Sequence, residues 1–187
     1  EFARQGARVK TTPPLRTRAD AKALWEALAD GTLDALACDH FLGRLEPASS
    51  DLSEMRDAPA GIAGLELSLP LVFSAGVREG RLSLQRFVEA TAERPATIAG
   101  LAPRKGRLAV GADADFVFMD PDAEWVVAPQ GDFSRAETTP FAGWRLRGRV
   151  RGTMVRGRTV WDGERITVEA GWGRHVPARR PQLGSVS

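Results

Sequence analysis

One cysteine, two histidines and three lysines among 187 residues exclude several chemistries at once. A lone Cys38 forbids an internal disulfide and leaves no zinc-finger spacing. It lies in an apolar run, the setting of a buried structural thiol rather than a reactive one. No apolar stretch approaches the roughly 18–20 residues that cross a membrane. The first residues do not read as a signal peptide, so the expectation is a cytoplasmic protein with no membrane partner. Lysine is almost replaced by arginine, and the segment 145–180 holds ten Arg against three acids. Yet the net charge is only +2, and no block interleaves dense basic residues with aromatics. Nucleic acid is therefore not an expected partner. Gly143, Gly148, Gly152 and Gly157 lack the strand–loop–helix context and the Lys-Ser/Thr of a phosphate loop.

What is present is ordinary globular material, 43% hydrophobic and 27% charged, in a chain long enough for a proper core. It opens mid-pattern at Glu1-Phe2-Ala3-Arg4, and the expectation is a piece of something longer. Thr17 and Asp20 have capping-box character, which predicts a helix over 21–28 closed by Asp30-Gly31. Leu33 to Cys38 follows as a compact strand of the kind a parallel sheet buries. Asp39 and His40 stand at its C-terminal end, where β/α barrels keep their chemistry. Asp39 is thus a candidate metal ligand, a candidate proton carrier, or simply the cap of the next loop. Adjacent strand residues point to opposite faces, so His40 reads as structural rather than catalytic.

Residues 41–60 carry no periodicity and read as a long loop, a length that is unusual unless the loop serves a site. Leu65, Leu69, Val72, Phe73 and Val77 fit a buried helix, with Pro70 an irregularity. Ser83 caps a predicted helix over 84–93, and Pro95 starts a short last one closed by Gly100. Beyond Leu101 the pattern turns to short strands, 115–119, 124–127, 149–155, 159–161 and 165–168, separated by glycine turns. Asp113 and Asp115 read as turn chemistry before a strand in preference to a carboxylate dyad. The five Trp read as packing, and His175 as exposed.

Several motifs, in order along nearly the whole chain, resemble the cyclic amidohydrolases: dihydroorotases, allantoinases and hydantoinases. They are Lys10-Thr11-Thr12-Pro13-Pro14-Leu15-Arg16, Cys38-Asp39-His40, Gly61-Ile62-Ala63-Gly64-Leu65-Glu66, Lys105-Gly106-Arg107-Leu108 and Gly111-Ala112-Asp113-Ala114-Asp115. Thr139-Pro140-Phe141-Ala142-Gly143-Trp144, Gly148-Arg149-Val150 and Gly171-Trp172-Gly173-Arg174 look most like the dihydroorotase branch.

The resemblance implies an α/β fold. Residues 1–102 would close a metal-dependent β/α (TIM-like) barrel, and 103–187 would form the C-terminal share of a small β-sandwich. It implies hydrolysis of a cyclic amide C–N bond and a centre of two zinc ions. It also implies that Asp39 both binds metal and carries a proton, while Thr12, Gly43, Ala60 and Gly61 meet the substrate. The remaining ligands of such a centre, a His-x-His pair, a Lys and two further His, would lie upstream, and His40 and His175 cannot replace them. Two positions depart from the dihydroorotase pattern: Thr12 stands where that branch has Asn, and Gly43 where it has His. A ring without a carboxylate, such as hydantoin, dihydropyrimidine or allantoin, is therefore expected in place of dihydroorotate. The intact protein is expected to be a homo-oligomer whose partner is a small cyclic amide. The competing expectation is a non-catalytic homologue that serves in assembly.

Overall fold

The computed structural model describes residues 6–41, 60–129, 133–134 and 139–178. After a 3-10 turn at Gly6–Val9, helix α1 spans Arg18–Asp30. Its start is as the sequence predicts. Thr17 Oγ1 accepts from the Asp20 N–H while the Asp20 carboxylate accepts from the Thr17 N–H. Gly31, in left-handed backbone at φ 88°, ends it.

The run 33–38 is not a laddered strand. Its described backbone bonds run to helical neighbours, the Leu33 N–H to the Ala27 carbonyl and the Leu36 N–H to the Ala90 carbonyl, each at 2.9 Å. The β-type pairing here is a single isolated parallel bridge, His40 to Ile62. An apolar run shows the tendency to form a strand, but the ladder needs a neighbour in register.

Helix α2 (Ser68–Val72) continues into a π-helical segment, Phe73–Arg78. Ser83 caps α3 (Leu84–Val88), its hydroxyl accepting from the Arg86 N–H. A π-helical segment (Glu89–Glu93) then leads straight into α4 (Arg94–Ile98). Pro95 thus stands inside a continuing helix and does not open a separate one. The Arg94 N–H reaches back five residues to the Glu89 carbonyl, and this widened turn accommodates a proline that would otherwise crowd the carbonyl four residues before it.

The second half is a three-stranded antiparallel sheet in the order β1 (Phe116–Val126), β2 (Arg145–Val155), β3 (Arg158–Trp161). The two runs 115–119 and 124–127 are one strand with register shifts at Phe118/Met119 and Asp120/Glu124. The segment 165–168 contributes a single bridge, Trp161 to Ile166. Leu28, Leu82 and Ala90 form the buried centre of the helical part, packed by Trp25, Leu36, Val72 and Val77. Phe73 joins helix to sheet. A Cβ on Gly148 would lie 2.3 Å from its ring, so only glycine admits it there. Ser74 Oγ beside it accepts from the Arg147 N–H at 3.0 Å.

The arginines are largely absorbed within the chain. Arg149 lies over Trp125, and Arg156 and Arg158 both lie over Trp172, while Arg147 and Arg151 pair with Asp122 and Asp120. The tryptophans therefore pack against guanidinium groups as well as apolar neighbours. Trp144, 45% exposed, is not core.

Candidate active site

Three short segments meet around Gly61. Its N–H donates to the Lys10 carbonyl at 2.9 Å, and the Phe41 N–H donates to the Ile62 carbonyl at 3.1 Å. With the His40–Ile62 bridge, these bonds set 10–12, 39–41 and 60–62 side by side. The backbone thus gathers the neighbourhoods of Thr12, Asp39, Ala60 and Gly61. Gly43 lies outside the described residues, as does most of the loop after Asp39.

Asp39 is exposed and has φ 44°. Only two non-glycine residues among those described have positive φ, Asp39 and Arg156. An aspartate tolerates this left-handed backbone better than most side chains, but such a conformation still persists only where its surroundings fix it. The next residue, His40, is anchored in turn: its Nδ1 accepts from the Leu65 N–H at 3.1 Å. Its imidazole ties the end of the 33–38 run to the segment leading into α2.

The described residues do not by themselves fit a metal centre. No group of three or more His, Cys, Asp or Glu side chains is gathered among them as a metal requires. Asp39 offers one exposed carboxylate. His175 is exposed in the C-terminal stretch.

Asp113 and Asp115 are not a catalytic dyad. Lys105 Nζ lies between their carboxylates, 2.8 Å from Asp113 Oδ2 and hydrogen-bonded to Asp115. Arg104 Nε reaches Asp113 at 2.9 Å, and Asp115 Oδ1 accepts from the Arg156 N–H at 2.8 Å. The hydrogen bond from Lys105, then that from Arg104, holds the Asp113 carboxyl below its ordinary range. The turn assigned to these residues is thus a charge clamp between the 104–107 connector and the sheet.

A cavity of about 430 Å³ lies between the 63–70 segment and the sheet, lined by Leu65, Leu69, Trp125, Val127, Trp161 and Ile166. Neither Asp39, Thr12 nor Gly61 lines it.

An amidohydrolase family model matches residues 3–160. The chain belongs to the amidohydrolase family. This amidohydrolase is 38% identical over 176 residues to an L-hydantoinase of Paenarthrobacter aurescens, covering 94% of the chain and 38% of that relative. It is 37% identical to a D-phenylhydantoinase of Escherichia coli, covering 91% of the chain and 37% of the relative. Among solved structures, a dihydropyrimidinase from Brevibacillus agri superposes with a TM-score of 0.83 at 32% identity, over 94% of this chain and 39% of that one. The L-hydantoinase (dihydropyrimidinase) of Arthrobacter aurescens gives 0.78 at 35% identity, over 90% and 37%. The chain therefore spans a little over a third of the length of these relatives. Its fold is that part of the TIM-like amidohydrolase architecture.

Two contacts of these segments had no signal in the sequence. Phe41 packs directly on Gly61. The Glu66 carboxylate accepts from the Phe133 and Ser134 N–H groups, almost seventy residues away. Both depend on contacts between distant segments, and neither leaves a local pattern.

Proposed function

We propose that the full-length protein is a metal-dependent hydrolase that opens the amide C–N bond of a small cyclic amide of the hydantoin or dihydropyrimidine type. The observation that carries this reading is Asp39, held in left-handed backbone beside the 10–12 and 60–62 segments of an amidohydrolase chain. In this reading Asp39 is one ligand of a zinc centre whose other ligands lie outside the described residues. Residues 1–102 close the barrel, and 103–187 supply the C-terminal share of a sandwich. The intact enzyme is a homo-oligomer.

The chemistry assigned to this chain's own groups is proton transfer and positioning. Water adds to the amide carbonyl carbon, the ring C–N bond breaks, and a carboxylate and an open-chain amine or urea nitrogen result. The Asp39 carboxylate takes a proton from the attacking water and delivers it to the departing nitrogen. The backbone of Ala60 and Gly61 and the Thr12 hydroxyl bind the polar edge of the ring. The names of the relatives support a ring without a carboxylate, as do Thr12 and Gly43. No observation favours the non-catalytic alternative.

The test is a side-by-side assay of the metal-loaded, full-length protein on hydantoin, dihydrouracil, allantoin and dihydroorotate. Dihydroorotate should be the poorest by roughly thirty- to a thousand-fold in kcat/KM. If dihydroorotate is the best substrate, the roles given to Thr12 and Gly43 are wrong. Hydrolysis of none of the four would refute the reading.

A further inference from the structure

Asp39 carries its carboxylate on left-handed backbone at φ 44°. A side chain leaves the main chain in a direction set by its own φ and ψ, so whatever holds the backbone on either side of Asp39 also aims that carboxylate. Among the described residues, the nearest backbone anchor upstream is the Leu36 N–H on the Ala90 carbonyl. Downstream the anchor is the very next residue. His40 forms the parallel bridge to Ile62, and its Nδ1 accepts from the Leu65 N–H at 3.1 Å. The receiving side is itself tied down. The Gly64 carbonyl accepts from both the Leu67 and the Ser68 N–H groups at the start of α2, and the Gly61 N–H is bonded to the Lys10 carbonyl.

One imidazole thus spans from the residue beside Asp39 to the segment that follows Ala60 and Gly61. The bond uses the ring nitrogen nearer the main chain, and uses it as an acceptor. We propose that His40 is a positioning residue: its Nδ1, held on the Leu65 N–H, keeps the Asp39 carboxylate in a fixed relation to the Ala60 and Gly61 backbone. His40 neither meets the substrate nor moves a proton in this role. A displacement of about 1 Å in a reacting group can cost on the order of a hundred-fold in rate, so an anchor one residue away is close enough to matter. This inference rests on the hydrolase reading above and deepens the role given there to Asp39.

The experiment measures kcat and KM for the best substrate of the four rings above in the full-length, metal-loaded protein. It is run on the wild type, His40→Ala, His40→Asn and His40→Gln. Asparagine puts an amide oxygen where Nδ1 stands, whereas glutamine puts its polar atoms nearer the place of Nε2. In His40→Ala kcat should fall roughly ten- to a hundred-fold while KM stays within about three-fold. His40→Asn should recover kcat to within about five-fold of the wild type, and His40→Gln should recover less. A crystal structure of His40→Ala gives a readout independent of turnover, and in it Asp39 should have left its φ of 44°. Three results each overturn the inference and leave the hydrolase reading standing: a kcat within about two-fold of wild type in His40→Ala, recovery by Gln equal to or better than recovery by Asn, or an unmoved Asp39. Should His40→Ala not fold, the comparison of Asn with Gln still decides. Hydrolysis of none of the four rings by the wild type overturns both.

Discussion

The Arg86 guanidinium donates from Nε to the Leu28 carbonyl at 2.7 Å, across 58 residues. Its Nη2 reaches the Leu33 and Asp34 carbonyls, and Nη1 lies 3.4 Å from Glu89 Oε2. Arg86 is 9% exposed, so this fork replaces nearly all the water it gave up. It ties α3 to the end of α1 and to the start of the run that ends at Asp39.

Replacing Arg86 by Ala should strand three backbone carbonyls beside a cavity. The expected cost is about 3 kcal/mol of stability. Lys at this position keeps the charge but not the planar fork, and should recover less than half of it. Thermal melting of the full-length protein checks both. A shift of less than a degree or two for Arg86→Ala would mean that the carbonyls find other partners.

For Asp39 the two substitutions that separate backbone from charge are Asn and Ala. Asparagine suits left-handed backbone as well as aspartate does, so Asp39→Asn should melt like the wild type. It should still lose at least about a thousand-fold in kcat, because an amide cannot carry the proton. Its metal content should fall as well. Retention of more than a few per cent of activity by Asp39→Asn would remove Asp39 from the role of proton carrier.

The elements that were legible in the sequence are those fixed locally. The Thr17–Asp20 box and Gly31 bound α1 from both ends, and Ser83 does the same for the start of α3. Asp39-His40 was readable as a candidate because the residue types and their place after an apolar run are themselves the signal. The 33–38 run was over-read as a strand, because pairing is set by a partner and not by composition. The π-helical turn before Pro95 was missed, since one widened turn hardly disturbs a 3.6-residue hydrophobic period. Arg86, Glu66 and Phe41 were invisible for a shared reason. Each acts on backbone that is distant in sequence or bare of side chain.

Residues 1–187 expressed alone should behave poorly. Leu65, Ile98, Leu108 and Val110 are among the apolar side chains left open, alongside Leu15, Leu24 and Leu84. Such a surface favours association in water. Strong dye binding or aggregation is expected, with no cyclic amide hydrolysis. A monodisperse, cooperatively melting monomer would show that this stretch folds as an independent unit and that the 1–102 and 103–187 assignment needs revision.

The Lys105 clamp should make stability depend on pH in a way one substitution can isolate. The Asp113 carboxyl is lowered by the hydrogen bonds from Lys105 and Arg104. A carboxylate with a depressed folded value stabilises fully above its unfolded value, near pH 4, and loses that contribution as pH falls through the folded one. For Lys105, partial burial works against the charge, but the hydrogen bonds to Asp113 and Asp115 outweigh it and the ammonium is raised. Its contribution is complete below the ordinary lysine range and is lost as pH rises through the raised value. Between roughly pH 5 and 10 the Asp113 carboxylate and the Lys105 ammonium are therefore both charged. Asp113→Asn keeps the shape and removes the charge, so it should lower the melting temperature at pH 7. The gap to wild type should then narrow as pH falls below about 4, where the wild-type carboxyl also becomes neutral. Melting curves of the two proteins at pH 7, 5, 4 and 3 test this directly. A gap that stays constant across that range would mean that Asp113 acts through its shape and turn geometry, with no contribution from charge.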